Sequence, residues 1–375
     1  MHALEVALSV LLVAIIVVSL LANVLVLVCF VYNAEIRRQV PGLFVLNLTC
    51  CNLLLASSNM PLTVAGLVGH APPPGGHGLC ELVGFLDTFL TANSMLSMAA
   101  LSIDRWVAVV FPLSYHSRMR RRDAVLALAY AWLHSLGFAV APACLSWLGY
   151  HRPYASCTLF NGRTRAVPAA TAASAGASSS TSRAHFAAYT VALHALTFLL
   201  VLVVLCVTYL KVLQVARFHC KRIDVITMQT LVLLVDIHPS VRQRCLEEQR
   251  KRRQRATRKI STFIGTFVVC FTPYVLTRVV ELFVAVPISP YWGVLCKSLA
   301  YSKAACDPFV YSLLRHQYRQ TCRDIINRFL KRRSLNSSGQ RQENGNVEKK
   351  PVNSGKCEKP EKSAQDKKAG TESTD

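Results

Sequence analysis

Charge-free apolar runs alternate with short polar ones along most of the chain. Residues 7–32, 42–68, 124–150 and 186–210 contain no Asp, Glu, Lys or Arg. Each is longer than the roughly 20 residues a helix needs to cross a ~30 Å hydrocarbon core. Runs 82–103, 260–284 and 291–314 are similarly apolar but carry a few charges. The pattern predicts an all-α membrane protein, a seven-helix bundle over residues 1–314 with spans at about 7–32, 42–68, 80–110, 124–150, 186–212, 257–284 and 291–314. The first run starts near Met1 but is too long for the apolar region of a cleaved signal, so it reads as a retained helix. Pro61, Pro142, Pro273 and Pro308 fall inside spans two, four, six and seven, where a missing amide hydrogen bond kinks a helix.

After the bundle, residues 315–333 set Tyr318, Cys322, Ile325, Ile326 and Phe329 on one face among arginines. That spacing predicts an amphipathic helix on the membrane surface. Cys322 is open to palmitoylation there, or remains a plain thiol. Residues 166–182 are small and polar without periodicity, and residues 334–375 are polar and rich in Lys and Ser. They predict a disordered loop and a disordered tail. In the long connection 214–256, the apolar piece 230–241 is too short to span, and Ser240 with Gln243 has the form of a capping box.

Charge orients the bundle. The chain carries 42 Lys+Arg against 20 Asp+Glu, a net +22. The connections after spans one, three and five hold 2, 4 and 13 Lys+Arg, and the opposite ones 0, 4 and 0. The positive-inside rule then puts the N-terminus outside and the C-terminus in the cytoplasm. The basic excess points to anionic lipid or a cytosolic partner. No basic stretch is interleaved with stacking aromatics, which excludes a nucleic-acid binder. Of 14 cysteines, most lie in spans as small apolar residues. Cys80 and Cys157 fall in outer segments, where an oxidising compartment lets them pair or leaves two free thiols. No nucleophile–base set and no metal-ligand spacing appears, so neither an enzyme nor a cofactor or metal is expected. His134 and His194 stand alone on apolar faces.

Landmarks recur on the spans: Asn23; NLTCCNLL at 47–54; Cys80; DRW at 104–106 followed by FPL at 111–113; Trp132; Tyr209; FVVCFTPY at 267–274; DPFVY at 307–311. Together, in this order, they resemble the rhodopsin-like (class A) G-protein-coupled receptors over residues 1–330. MLSMAALSIDRWVAVVFPLSY, HPSVRQRCLEEQ and DPFVYSLLRHQYR carry a closer likeness to an orphan branch of that family. The resemblance implies a multi-pass plasma-membrane receptor whose cytoplasmic face engages a heterotrimeric G protein, with arrestin at the tail. It implies a Cys80–Cys157 disulfide and an activation set of Asp104, Arg105, Trp106, Pro112, Leu113, Tyr209 and Tyr311. It also implies a switch built on Phe267, Phe271, Pro273 and Pro308. A seven-span transporter accounts for intramembrane charge but not for DRW with FPL.

Departures from the family pattern matter as much. At the inner end of span six the family usually has an acid that locks the span-three arginine; the matching position here is Arg253, with Glu247 and Glu248 two turns away. The expectation is ligand-independent activity. Phe271 stands in place of a Trp, and Val201 in place of a span-five Pro, which predicts a straighter outer half for that helix. Coupling is expected to the stimulatory class that raises cyclic AMP, and otherwise to the inhibitory class as in amine-gated receptors.

Asp87 matches the carboxylate of amine receptors and Tyr301 its tyrosine partner, but Lys297 lies one turn from Tyr301. Two readings stay open: an amine site, or an internal Asp87–Lys297 salt bridge. Glu281 is either a rim charge or a ligand contact. The family's mid-bundle sodium site has lost its span-two acid, which is Asn52 here, while Ser94 and Asp307 are retained and Lys303 lies one turn before Asp307. The expectation is a tethered cation, Lys303 held by Asp307, Asn52 and Ser94. The other reading sends Lys303 to backbone elsewhere and leaves the site to water.

Overall fold

Helix α1 (His2–Tyr32) buries Leu8, Leu12, Ile15, Ala22, Val26 and Cys29 and exposes Val6, Val10, Val13, Val17, Val24 and Val28. The inward stripe follows helical spacing, and an outward face of valines suits hydrocarbon. The computed structural model describes residues 2–72, 76–160, 176–233, 262–284, 288–313 and 317–328. Asn33 caps the short α2 (Ala34–Arg38) by accepting the Glu35 amide. The next span is two helices, α3 (Val40–Ser57) and α4 (Asn59–Gly69). The break has a cause: Pro61 cannot donate to the preceding turn, and the Ser58 hydroxyl donates to the Leu54 carbonyl at 2.6 Å.

Helix α5 (Gly76–Val110) is the axis of the bundle, packing against α3, against α7 (Arg121–Cys144) and against α9 (Leu200–Leu233). The short α6 (Tyr115–Arg118) links α5 to α7. A helix α8 (Gly176–His194) leads through a π turn at Ala195–Leu199 into α9. Helix α10 (Thr262–Phe283) precedes α11 (Pro290–Asp307), a π turn at Pro308–Leu313, and α12 at 317–328. Among the described residues six stretches are long and apolar enough to cross a membrane. The seventh, α11, buries Lys297, Lys303 and Asp307 within its length. Residues up to Arg323 make one compact unit; of the second, from Asp324, only 324–328 are described, as the end of α12.

Between α7 and α8 the chain forms an antiparallel hairpin, β1 (Leu148–His151) and β2 (Ser156–Leu159), joined by a 3₁₀ turn at Arg152–Tyr154. Tyr150 pairs with Cys157 across it, and Cys157 is disulfide-bonded to Cys80 at the start of α5. The hairpin presses onto glycines. A Cβ on Gly66 would stand 2.5 Å from the Ala155 carbonyl oxygen, and one on Gly293 would overlap the Pro153 carbonyl. Small residues let backbones approach this closely. Gly293→Ala is therefore expected to destabilise by about 1–3 kcal/mol through overpacking, read as a lower melting temperature in detergent. Gly137→Ala, whose added Cβ meets nothing within 4 Å, serves as the control and should not fall.

Several boundaries differ from the expectations. The fourth span ends at Cys144, not near residue 150, because Pro142 and the left-handed Ser146 (φ 53°) turn the chain into β1. Pro142 thus sits at a helix end, not at a mid-span kink. The expected disordered loop at 166–182 is helical from Gly176 onward, its Ala and Ser residues extending the next span. That span continues to Leu233, well past 212. Its outer half is not straight: the π turn at Ala195–Leu199 forms without proline. There the side chains of Thr190, His194 and Thr197 each bond the carbonyl four residues back, competing with the regular ladder. Residues 234–261, with Ser240, Gln243, Glu247, Glu248 and Arg253, lie outside the described residues, as do Phe329 and 334–375.

Candidate functional site

A cavity of about 840 Å³, counting the part open to solvent, lies in the disulfide half of the bundle between α3, α5, the end of α8 with the π turn after it, α10 and α11. Its wall holds the charged pair that the spacing of α5 and α11 set in opposition. Lys297 Nζ donates to Asp87 Oδ2 at 2.5 Å, and the Tyr301 hydroxyl donates to the other oxygen at 3.3 Å. Both charges are buried, 3% and 5% exposed. The ammonium also lies 4.9 and 5.0 Å from the ring centres of Tyr274 and Tyr301, close enough for cation–π attraction. Of the two readings of Asp87, the structure holds the internal salt bridge.

The roof is the hairpin. Thr158 and Leu159 of β2 line the cavity, and a polar cluster ties them to α10. Arg278, buried at 4%, donates to the Leu159 carbonyl at 2.5 Å, to Glu281 at 2.8 Å and to His151 Nδ1 at 3.3 Å. His151 Nε2 lies 3.1 Å from Glu281. One tautomer satisfies all three, with Nδ1 accepting from the guanidinium and Nε2–H donating to the carboxylate. The Tyr154 hydroxyl donates to Glu281 at 3.4 Å, and burial pushes that phenol above its ordinary range, with Arg278 opposing. Glu281 is thus neither a free rim charge nor an open ligand contact. Arg278 was the residue sequence reasoning passed over: a lone arginine near a span end looks like any interfacial charge.

The cavity floor reaches Lys303, Asn52 and Ser94. Lys303 forms an ion pair with Asp307 one turn on, both fully buried. Asn52 Nδ2 donates to Asp307 Oδ2 at 3.1 Å and to Asn23 Oδ1 at 3.3 Å, and Asn23 donates to the Ala304 carbonyl at 2.9 Å. Ser94 departs from expectation: its hydroxyl donates to Thr91 of its own helix at 2.9 Å. Phe198 and Phe271 line the cavity with Phe267 between them, stacked on Phe198 at 5.5 Å and tilted against Phe271 at 5.2 Å. Phe198, presented by the π turn, joins the expected pair. Pro273 follows within α10, and Pro308 opens the second π turn.

At the opposite end of α5, Asp104 is buried and accepts from the Tyr115 hydroxyl at 2.7 Å. Arg105 Nε lies 3.7 Å from the same carboxylate, beyond hydrogen-bond reach. Trp106 packs edge-on to Phe111 at 6.0 Å, Arg118 stands over Phe111 at 4.3 Å, and Tyr209 packs on Phe263 at 4.6 Å. Pro112 and the fully exposed Leu113 form the turn after α5. Tyr311 lies in the second π turn, its side chain outside the described set.

Residues 22–311 match the family described as the 7 transmembrane receptor (rhodopsin family). The chain belongs to this family. The receptor is 63% identical over 322 residues to the human (Homo sapiens) G-protein coupled receptor 26, covering 86% of this chain and 90% of that one. It is 49% identical over 328 residues to the human G-protein coupled receptor 78, covering 88% and 86%. A frog (Xenopus laevis) D(1B) dopamine receptor is 23% identical over 319 residues, covering 78% and 64%. As a class A receptor it is a multi-pass plasma-membrane protein that signals through G proteins and is not an enzyme.

Proposed function

We propose that this receptor signals without a diffusible agonist, through the stimulatory G-protein class that raises cyclic AMP. Its N-terminus and hairpin then face outside, and Arg105 faces the G protein. The observation that carries the reading is the occupied carboxylate: Asp87, where an amine would bind, is already neutralised by Lys297 at 2.5 Å. A ligand ammonium would have to displace a tethered one that is entropically favoured. The D(1B) dopamine receptor, by its name, takes an amine; this chain supplies its own.

Two further features support ligand-independent signalling. Arg105 has no hydrogen bond from Nε among the described residues and meets Asp104 only at 3.7 Å, while Tyr115 engages that carboxylate. The arginine is thus loosely restrained. The family's second lock is replaced by Arg253 in the sequence, and like charges would repel. The 13 Lys+Arg of the connection 211–259 support stimulatory coupling. Asp104, Arg105, Trp106, Pro112, Leu113, Tyr209 and Tyr311 then form the coupling face, with arrestin at the tail, and Lys303 serves as a built-in cation in place of sodium. Cyclic AMP in cells without added ligand should rise with receptor dose. Output flat against dose would sink the reading, and a fall in forskolin-stimulated output would assign inhibitory coupling instead.

A further inference from the structure

Two thiols from opposite ends of the sequence meet at the Arg105 end of the bundle. Cys29, in the last turn of α1 and wholly buried, has its Sγ 3.3 Å from Sγ of Cys322 in α12. The approach is held by its surroundings. Asn33 Nδ2, one turn after Cys29, donates to Thr321 Oγ1 at 2.8 Å, and both Thr321 and Tyr318 are buried. A disulfide requires S–S of about 2.05 Å, so a side-chain adjustment of about 1 Å closes the gap.

From this geometry we infer that Cys29 and Cys322 form a reversible disulfide on exposure to a hydroperoxide, stapling α12 to α1. Cys322 is the half-buried member, the one a hydroperoxide reaches first, and it reacts as its thiolate, the nucleophilic form of any thiol. That thiolate attacks the terminal oxygen of the hydroperoxide, breaking the O–O bond and releasing an alcohol, or water from hydrogen peroxide. The resulting sulfenic acid is displaced by Cys29, forming the S–S bond and releasing water with the Cys29 proton. The net change is two thiols and one hydroperoxide giving one disulfide, one alcohol and one water. A cellular thiol reductant reverses it, as for redox-sensing bridges in reducing compartments. The oxidised form has no Cys322 thiol left to carry an acyl chain, so bridging and palmitoylation exclude each other.

The test uses the full-length receptor in lipid vesicles, first treated with hydroxylamine to free any acylated thiol. It is then exposed to hydrogen peroxide or to cumene hydroperoxide, which partitions into the bilayer. Maleimide labelling under denaturation should drop at Cys29 and Cys322 together, return with dithiothreitol, and coincide with a Cys29–Cys322 cross-linked peptide. Faster loss with cumene hydroperoxide would name a lipid hydroperoxide as the source, faster loss with hydrogen peroxide the aqueous one. In Cys29→Ser, Cys322 should proceed to the sulfinic acid, and hydrogen exchange over 317–323 should no longer slow on oxidation. Undiminished labelling at either cysteine in the unmodified receptor, or Cys322 bridged to any thiol other than Cys29, overturns the proposal.

Discussion

Lys303→Ala is expected to destabilise the receptor by about 3–5 kcal/mol, the range for removing one partner of a buried ion pair. The reason lies in what remains. Asp307 is 2% exposed and keeps, among the described residues, the 3.1 Å hydrogen bond from Asn52, which cannot balance a carboxylate at membrane depth. The melting temperature should fall by several degrees in choline chloride. Sodium chloride should restore part of that loss in the variant and do nothing for the parent, because the vacated site would accept an exchangeable cation. The double variant Lys303→Ala/Asp307→Ala should lose less than the sum of the single changes, the signature of direct coupling. A parent-like melting temperature for Lys303→Ala would refute the built-in cation.

Arg278→Ala should be comparably damaging and differently distributed. It strands the Leu159 carbonyl and the acceptor nitrogen of His151 at the roof and removes the 2.8 Å guanidinium partner of Glu281, leaving that carboxylate to His151 and Tyr154. A loss of about 3–5 kcal/mol follows from two buried acceptors left unsatisfied, at about 1–3 kcal/mol each, with the Glu281 charge less well matched. Hydrogen exchange should quicken over 148–159 more than in α3 or α5, since the disulfide still anchors Cys157 but, among the described residues, β2 keeps only the long 3.4 Å contact of Thr158 with Tyr274 to α10. Arg278→Lys should rescue little: an ammonium lacks the planar fork that meets three acceptors at once. Uniform exchange across the bundle in Arg278→Ala would show that the arginine stabilises generally and does not clamp the roof.

Much of this could be read from residues in order. Charge-free runs marked the spans because a bilayer tolerates little else, and the one-turn offsets Lys297–Tyr301 and Lys303–Asp307 put charges on common faces. What stayed hidden depended on partners distant in sequence. Nothing local to Arg278 reveals that Leu159 and His151, more than a hundred residues earlier, supply its acceptors. The strands were masked because residues 148–159 contain Pro153 and no clean alternation, and their pairing follows from burial on both faces. The π turn was missed because the reading looked for a proline, whereas threonine and histidine side chains unsettle the helix. Ser94 was assigned to the cation from position alone, yet a serine in a helix has its own carbonyl within reach.

The buried hairpin has a practical consequence for reagents. Between Leu148 and Phe160 the sole exposed side chain is Arg152. Antisera raised against a linear peptide from this stretch would carry specificities for side chains that the folded receptor hides. Binders selected on the native protein would instead combine Arg152 with neighbouring helix ends into a discontinuous epitope, and such binders would double as reporters of whether the roof is seated.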